Sequence, residues 1–213
     1  MIERKEDFMN RKILLVLASL IIIIFVCEAH ALPRLTVRKF ENKTGESGVP
    51  SDAITDMMTS ELSKANIFNL LERENINYVT DEIAFGQSGL VDSSTAPQIG
   101  KIKGAQYTLT GATTLYRYNE KGGGAFIKVI GGVMASKTAY VVLDIRVIDN
   151  TTGEIIYTDT QEGSAKNEIA GGAAYYKGFF LGGGKVSHGG ILAAATRDAV
   201  VKIVNEMKRY EWD

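Results

Sequence analysis

The chain has 213 residues, of which 45% are hydrophobic, a length that suits one well-buried domain and is short for two. Its 24 basic and 25 acidic residues give a net charge of −1, so there is no basic excess for nucleic-acid binding, which requires a clustered positive face. The single cysteine excludes an internal disulfide framework.

Residues 1–31 have the three parts of an export signal. Basic Arg11-Lys12 precedes an apolar run from Ile13 to Val26, and Ala29-His30-Ala31 fits the small-x-small cleavage rule. The run is shorter than the roughly 20 residues of a spanning helix, which favours a cleaved signal over a membrane anchor. The mature domain is then expected to cover residues 32–213. If cleavage falls after Ala31, Cys27 leaves with the signal, and thiolate zinc sites and Cys/His catalysis are then excluded as well.

Cys27 also permits a different interpretation of this region. It lies where a bacterial lipoprotein signal would place its lipidated cysteine, although Val26 stands where Gly, Ala or Ser is usual. Removal of Cys27 with the signal and lipidation of Cys27 therefore stay open as two routes for an exported protein.

The first half of the mature chain predicts alternating strands and helices. Strands are predicted at Leu35 to Phe40, at Ile67 to Leu71 and at Gln106 to Tyr116. A helix capped by Ser51 separates the first two strands, and its apolar face consists of Ile54, Met57, Met58, Leu62 and Ala65. A second helix carries Ile76, Val79 and Ile83, and a short third helix is capped by Asp92-Ser93-Ser94.

The second half contains the clearest strand, Thr138 to Asp149. Alternate residues of this strand form an apolar face and a polar face, and the polar one includes Asp144 and Arg146 as a cross-strand or solvent-facing pair. A turn at Asn150 to Gly153 returns the chain along Glu154 to Gln161 as an antiparallel partner. A C-terminal helix with Lys208 and Arg209 in its last turn is predicted to pack on the sheet. The predicted class is therefore α+β, a mixed sheet covered by helices.

Several short sequences together resemble the CsgG family, the outer-membrane component of curli secretion and its relatives. They occur in order along nearly the whole mature chain: Phe40 to Gly45, Leu70 to Glu74, Lys103 to Ala105 leading to Leu109 to Ala112, and Val141 to Asp149 followed by Thr152-Gly153-Glu154.

The resemblance implies a periplasmic domain from which two β-hairpins extend, here residues 118–147 and 156–189. In the curli pore such hairpins from identical subunits close one large transmembrane barrel. The implied function is an oligomeric outer-membrane channel subunit that secretes or assembles an extracellular polypeptide with accessory periplasmic proteins. Closure is physically required, since a lone hairpin in lipid leaves its edge groups unpaired.

The first candidate hairpin has an apolar face suited to lipid. Ala125, Ile127, Val129 and Val133 would face the membrane while Lys128 faces the lumen, over about the 9 to 11 tilted residues that span a bilayer. Its turn is predicted near Ser136-Lys137. The second candidate is largely polar from Thr158 to Glu168, and its apolar part carries a predicted interfacial aromatic girdle of Tyr175, Tyr176, Phe179 and Phe180.

Two departures limit what the resemblance implies. Only residues 46–50 separate Gly45 from the first helix, where the curli pore carries its constriction loop, so constriction residues cannot be assigned. The polar second hairpin also permits an alternative, a soluble periplasmic adaptor or scaffold of the same fold without a pore.

An enzyme is not expected. Gly182-Gly183-Gly184-Lys185 resembles a phosphate loop, but Phe179 occupies the required earlier glycine position and Val186 replaces the Ser/Thr that would hold Mg²⁺. His188 lacks a partner at a motif spacing and is interpreted as solvated. No catalytic residue, cofactor or metal is predicted.

Overall fold

The computed structural model describes residues 31–121, 136–170, 173–176, 179–180 and 188–212. The chain divides into two units, Met1–Leu32 and Pro33–Asp213. The second unit contains, in order, β1 (Arg34–Val37), β2 (Glu41–Asn42), α1 (Ser51–Ala65), β3 (Asn69–Leu70), α2 (Ile76–Gly86), β4 (Tyr107–Lys121), β5 (Ser136–Asp149), β6 (Ile155–Ala170), β7 (Ala173–Tyr176), β8 (Phe179–Phe180) and α3 (His188–Met207).

The eight strands form one mixed sheet in the order β3–β1–β4–β5–β6–β7–β8, with β2 also paired to β4. β1 runs parallel to both β3 and β4, and β2 is parallel to β4. From β4 onward every neighbouring pair is antiparallel. The predicted α+β class with a mixed sheet and helices is confirmed.

The core lies between one face of the sheet and helices α1 and α3. On β5 the predicted alternation is confirmed, because Ala139, Val141, Leu143, Ile145 and Val147 are all buried. Each fully buried Leu or Ile side chain stabilises the fold by about 1.5–3 kcal/mol relative to exposure. The helices supply the facing side chains: Ile54, Met58 and Leu62 from α1, and Ile191, Ala195, Ala199, Val200, Ile203, Val204 and Met207 from α3.

Two glycines allow unusually close packing within this core. A Cβ on Gly163 of β6 would lie 2.0 Å from the Ala195 carbonyl oxygen and 2.5 Å from the Ala199 nitrogen, both backbone atoms of α3. A Cβ on Gly111 of β4 would lie 2.3 Å from the ring of Phe40. At Gly163, therefore, α3 rests directly on the strand.

Several predicted boundaries were wrong. The residue that caps α1 is Pro50, not Ser51, and no side chain caps this end. β1 ends at Val37, short of the predicted Phe40. The helix expected after Asp92 is not formed. Oδ1 of Asp92 accepts hydrogen bonds from the backbone and hydroxyl of Ser94, as a helix cap would, but the chain makes only a turn there.

The C-terminal ends of α1 and α3 differ from each other. α1 ends where Asn66 takes a left-handed conformation, at φ 51°, and its N–H donates to the Leu62 carbonyl at 3.2 Å. α3 ends at Met207, so Lys208 and Arg209 lie beyond it and not in its last turn.

The C-terminal residues close one end of the sheet through an aromatic cluster. The Trp212 ring centroid lies 4.7 Å from that of Phe68, 4.5 Å from that of Tyr210 and 5.5 Å from that of Tyr157. Trp212 Nε1 donates to the Met207 carbonyl at 2.9 Å, and the Tyr210 hydroxyl donates to the Ile156 carbonyl at 3.1 Å. These contacts join the segment after α3 to β6 and to the residue before β3.

Among the described parts of the chain, no helix combines the length and the apolar character needed to cross a membrane.

Candidate functional site

The sheet continues beyond the helix-covered core at one end. The last buried residues at that end are Ala139 and Ala165, which pair across β5 and β6. Beyond Ala139, β5 pairs three more residues with β4 and three more with β6. The final row joins five strands side by side, with Lys121 opposite Ser136, Ser136 opposite Glu168, Glu168 opposite Tyr175, and Tyr175 opposite Phe180. We call β4 to β8 beyond the Ala139 row the strand extension.

The strand extension corrects the predicted turn of the first hairpin. Ser136 and Lys137 were expected at the turn, but they belong to β5 and pair with Lys121 and Glu120 of β4. β4 continues for several residues past the predicted end at Tyr116, and the β4–β5 connection consists of residues 122–135. The five predicted membrane and lumen residues, Ala125, Ile127, Lys128, Val129 and Val133, lie outside the described residues.

The predicted aromatic girdle falls on a short antiparallel ladder. Tyr175 pairs with Phe180, and Tyr176 pairs with Phe179, through the backbones of β7 and β8. These four residues are therefore brought together, two on each strand, next to the end of β6. Their role at a membrane interface stays a prediction.

A β-bulge separates the core part of β4 from its extension. The register with β5 shifts between Thr113 and Leu115, so Thr114 is an extra residue. Before the bulge Thr113 lies opposite buried Leu143, whereas after it Tyr116 lies opposite buried Val141. The bulge therefore reverses which residues of β4 face the helices, and alternation in the sequence alone does not locate it.

The sheet face opposite α1 and α3 carries a polar groove of about 800 Å³. Threonines of β4 and β6 contribute hydroxyl groups to it, among them Thr110 and Thr158. Charged residues of both signs line the groove: Arg38, Lys39, Lys43, Arg73 and Arg146 are basic, and Glu41, Glu74, Asp144 and Asp159 are acidic.

Strand register arranges part of this charge in two rows. Arg146 lies opposite Thr110, and Arg38 lies on the other side of Thr110, since the Arg38 N–H donates to the Leu109 carbonyl at 2.8 Å. Two residues further along β4, Ala112 lies between Glu41 and Asp144. A basic row thus runs beside an acidic row, about 7 Å away, which is two residues along a strand.

Within the groove, the Asp144 side chain accepts a hydrogen bond from a neighbouring residue, whereas the Arg146 side chain is exposed. The Thr160 hydroxyl donates to Asp144 Oδ1 at 2.5 Å. Between the side chains that the structure describes, no ion pair joins Asp144 to Arg146. Of the two predictions for this pair, the solvent-facing one fits the structure.

One residue that lines the groove, Lys39, has a shifted pKa, and the cause is an adjacent residue. The hydrogen bond and charge of Asp52 raise the pKa of Lys39, with which it forms an exposed ion pair at the start of α1. Across the part of the chain described, no group of His, Cys, Asp and Glu is placed to hold a metal ion. The groove therefore presents charged groups and hydroxyls to solvent.

The sequence did not reveal the groove. Arg38 and Glu41 stand at the ends of short strands, and their neighbours in space, Arg146 and Asp144, are more than 100 residues away along the chain. Only the parallel pairing of β1 and β2 with β4 brings them together.

Several known proteins are similar to this chain over most of its length. A putative lipoprotein of Neisseria meningitidis serogroup B is 25% identical over 187 residues, which is 84% of this chain and 78% of the relative. The PelC dodecamer from Paraburkholderia phytofirmans is 15% identical, with a TM-score of 0.42, over 83% of this chain and 89% of that chain. The hypothetical protein CT253 from Chlamydia trachomatis is 12% identical, with a TM-score of 0.48, over 84% of this chain and 98% of that chain.

A sequence model of a protein family assigns the chain to a family. The model for the curli production assembly/transport component CsgG matches residues 24–213. The match includes all the short sequences on which the resemblance was based and extends over the sheet and all three helices. The chain belongs to the CsgG family.

Proposed function

We propose that this chain is an exported subunit of a homo-oligomeric outer-membrane channel that secretes or assembles an extracellular polypeptide. The observation that carries the proposal is the row of five paired strands at the end of the strand extension. Strands from both predicted hairpins take part in this row, β4 and β5 from the first and β6 to β8 from the second. Family membership supports the same function.

Backbone hydrogen bonding explains why such a subunit would act as an oligomer. In the strand extension β4 and β8 are the outermost strands, so each has an edge with no strand partner among the described residues. Edges of this kind are not tolerated in the hydrocarbon core of a bilayer, where each backbone N–H or C=O group without a hydrogen bond costs several kcal/mol. Pairing the β4 edge of one copy with the β8 edge of the next would remove both edges around a ring.

The direct test is the state of the protein after extraction from outer membranes. We expect it to require detergent and to give rings in negative-stain images. A matched variant replaces residues 122–135 and 171–187 with short turns and keeps the helix-covered core. It should fold, shown by circular dichroism, but be released without detergent. A wild-type protein recovered as a soluble monomer after gentle lysis would contradict the channel.

A second candidate function is a periplasmic adaptor without a pore. The groove favours it, because two rows of opposite charge on an exposed sheet face suit an extended polypeptide partner with alternating charges. Circular dichroism in buffer and in lipid vesicles separates the two functions. An adaptor keeps the same β-content in both, whereas a channel subunit gains β-structure in lipid.

A further inference from the structure

Two arginines of the polar groove have no partner for their charge in the described chain. Arg38 follows β1 and Arg146 lies on β5, and both line the groove together with Thr110, which lies between them on β4. Neither guanidinium group forms an ion pair or a hydrogen bond with any residue that the structure describes. Two positive charges therefore face the same part of the groove, and both are available to a ligand.

The remaining basic groups of the groove differ from these two, because each already has an acceptor. Lys39 pairs with Asp52, Lys43 pairs with Glu41 at 3.0 Å, and the Arg73 guanidinium donates to the backbone carbonyls of Glu72 and Lys103. The capacity of the groove to bind an added anion is therefore concentrated at Arg38 and Arg146.

Strand geometry sets the distance between these two arginines. Neighbouring strands lie about 4.7–4.9 Å apart, so the backbones of Arg38 and Arg146, on either side of β4, are about 10 Å apart. An anion above Thr110 lies between the two guanidinium groups, and the Thr110 hydroxyl is a further donor beneath it. A carboxylate suits this position, because a guanidinium group donates two parallel hydrogen bonds to its two oxygens.

The neighbouring carboxylates limit which anions fit. Glu41 and Asp144 lie two residues further along β4, about 7 Å from the arginines, and Glu74 and Asp159 also line the groove. These four negative charges repel a ligand that carries a run of adjacent negative charges. A ligand with one carboxylate beside a positive group fits better.

Asp144 can accept that positive group. The Thr160 hydroxyl donates to Oδ1 of Asp144, whereas Oδ2 accepts no hydrogen bond from the residues that the structure describes. In an extended polypeptide, residues i and i+2 point to the same side and are about 7 Å apart, which matches the distance between the two rows of the groove. The groove volume of about 800 Å³ is also within the range of ligand clefts, roughly 300–1,000 Å³.

We propose that Arg38, Thr110 and Arg146 bind an acidic side chain of an extended partner polypeptide. Asp144 binds a basic side chain two residues away in the same segment. The proposal rests on the polypeptide partner that the proposed function requires, and it names the residues and the charge pattern by which that partner is recognised.

Binding of synthetic peptides to the purified full chain tests the arginine site. The probe is a fluorescent octapeptide of alternating valine and threonine, blocked at both ends, in which a glutamate and a lysine replace two successive threonines. We expect Arg38→Gln with Arg146→Gln to raise its dissociation constant at least tenfold by fluorescence anisotropy. Glutamine in place of the probe's glutamate should weaken binding to the wild type similarly but leave binding to the variant unchanged, because both changes remove the same contact.

Two further variants separate this contact from general charge effects. Lys101→Gln with Lys103→Gln removes the same charge at exposed residues outside the groove, and the dissociation constant should stay within about threefold of wild type. Asp144→Asn should weaken binding of the original probe but not of a probe whose lysine is replaced by glutamine. Circular dichroism should show all variants folded, since the exposed arginines make no side-chain contact that the fold needs.

Several outcomes would overturn the site. These are no binding of the probe to the wild type, equal losses in the arginine variant and the lysine control, or tighter binding of an octapeptide of glutamate than of the probe. The result is independent of assembly, which negative-stain images of the same extract report. Rings that do not bind the probe would end the groove proposal and leave the channel standing, whereas a monomer that binds it would end the channel and support the groove.

Discussion

Gly163 is the residue at which α3 approaches the sheet most closely. Gly163→Ala would place a methyl group against the backbone of Ala195 and Ala199, which cannot move without displacing the helix. We expect a loss of about 1–3 kcal/mol in the free energy of unfolding, measured by urea denaturation. Gly104→Ala is the matched control, because nothing lies within 4 Å of its added Cβ. Equal stability of the two variants would contradict the close approach.

Thr113 shows the cost of a buried hydroxyl without a partner. Its Oγ1 is buried and has no hydrogen-bond partner in the described chain. Thr113→Val keeps the shape and removes the desolvation cost, so we expect the free energy of unfolding to rise by about 1 kcal/mol. Thr55 is the contrasting case, since its equally buried hydroxyl accepts from the Phe40 N–H at 3.0 Å and donates to the Ser51 carbonyl at 2.8 Å. Thr55→Val should therefore destabilise the protein, and the two variants should differ in sign.

Tyr157 makes stability depend on alkaline pH. Burial, followed by the charges of Asp159 and Glu206, raises the pKa of its hydroxyl to about 12. An unfolded tyrosine has a pKa of about 10, so between these values the unfolded chain has lost a proton that the folded chain keeps. Stability is then fully present below pH ~10 and falls as the pH rises toward about 12. Tyr157→Phe should reduce this slope in urea titrations; a residual slope is expected because burial also raises the pKa of Tyr116.

At the scale of elements, β6 is an edge strand that α3 protects. Between Ile155 and Asn167 it pairs with β5 on one side, and no described strand pairs with its other side. Asp198 Oδ2 accepts from the Ser164 N–H at 3.2 Å, and Lys202 Nζ donates to the Glu162 carbonyl at 2.7 Å. The two side chains also form an ion pair at 2.9 Å. Edge groups that would otherwise recruit another strand are thus occupied.

Removal of Asp198 tests this protection. Asp198→Ala takes the acceptor from the Ser164 N–H and the counter-ion from Lys202, and we expect a loss of about 1–3 kcal/mol in the free energy of unfolding. Lys64→Ala is the control, because it removes the Lys64–Glu61 ion pair on α1, whose lysine is exposed. We expect it to lower the free energy of unfolding by less than about 1 kcal/mol. If both substitutions cost the same, the contact with β6 contributes nothing beyond an ordinary surface pair.

The elements that could be predicted are those with strong periodicity and one buried face. α1, α3 and the core part of β5 have apolar residues at regular spacing, and their buried faces were predicted correctly. The sequence could not give the bulge at Thr114 or the extension of β6 to Ala170, because both depend on partner strands. α2 was predicted as a helix from Ile76, Val79 and Ile83, but its exposure follows from the absence of a neighbour in the described chain.

At the scale of the whole molecule, the N-terminus of the purified protein distinguishes the two predicted export routes. A signal cleaved after Ala31 predicts that Leu32 is the first residue, and intact mass of the purified protein should show an unmodified chain. Cys27→Ser should then change neither its mass nor its membrane association. Lipidation of Cys27 is the alternative and gives the contrasting outcome. Cysteine at the first position with added lipid mass, lost in Cys27→Ser, would establish lipidation.

The global arrangement depended on long-range pairing that residue patterns do not encode. Residue patterns gave the order of the core elements. The resemblance implied two hairpins, which stay a prediction, and the family itself is confirmed. The groove could not be predicted, since its basic row needs β1 placed beside β4 with Arg38 next to Thr110. Composition showed only that no single charge sign dominates.

The aromatic cluster at the C-terminus has a spectroscopic consequence. Trp212 is the only tryptophan in the chain, and its ring touches Phe68 ahead of β3, Tyr157 on β6 and Tyr210 after α3. Its emission therefore reports whether the segments around β3, β6 and the end of α3 have packed together. Native fluorescence in a monomer would show that one copy folds by itself, and time-resolved emission would separate that folding step from any association between copies.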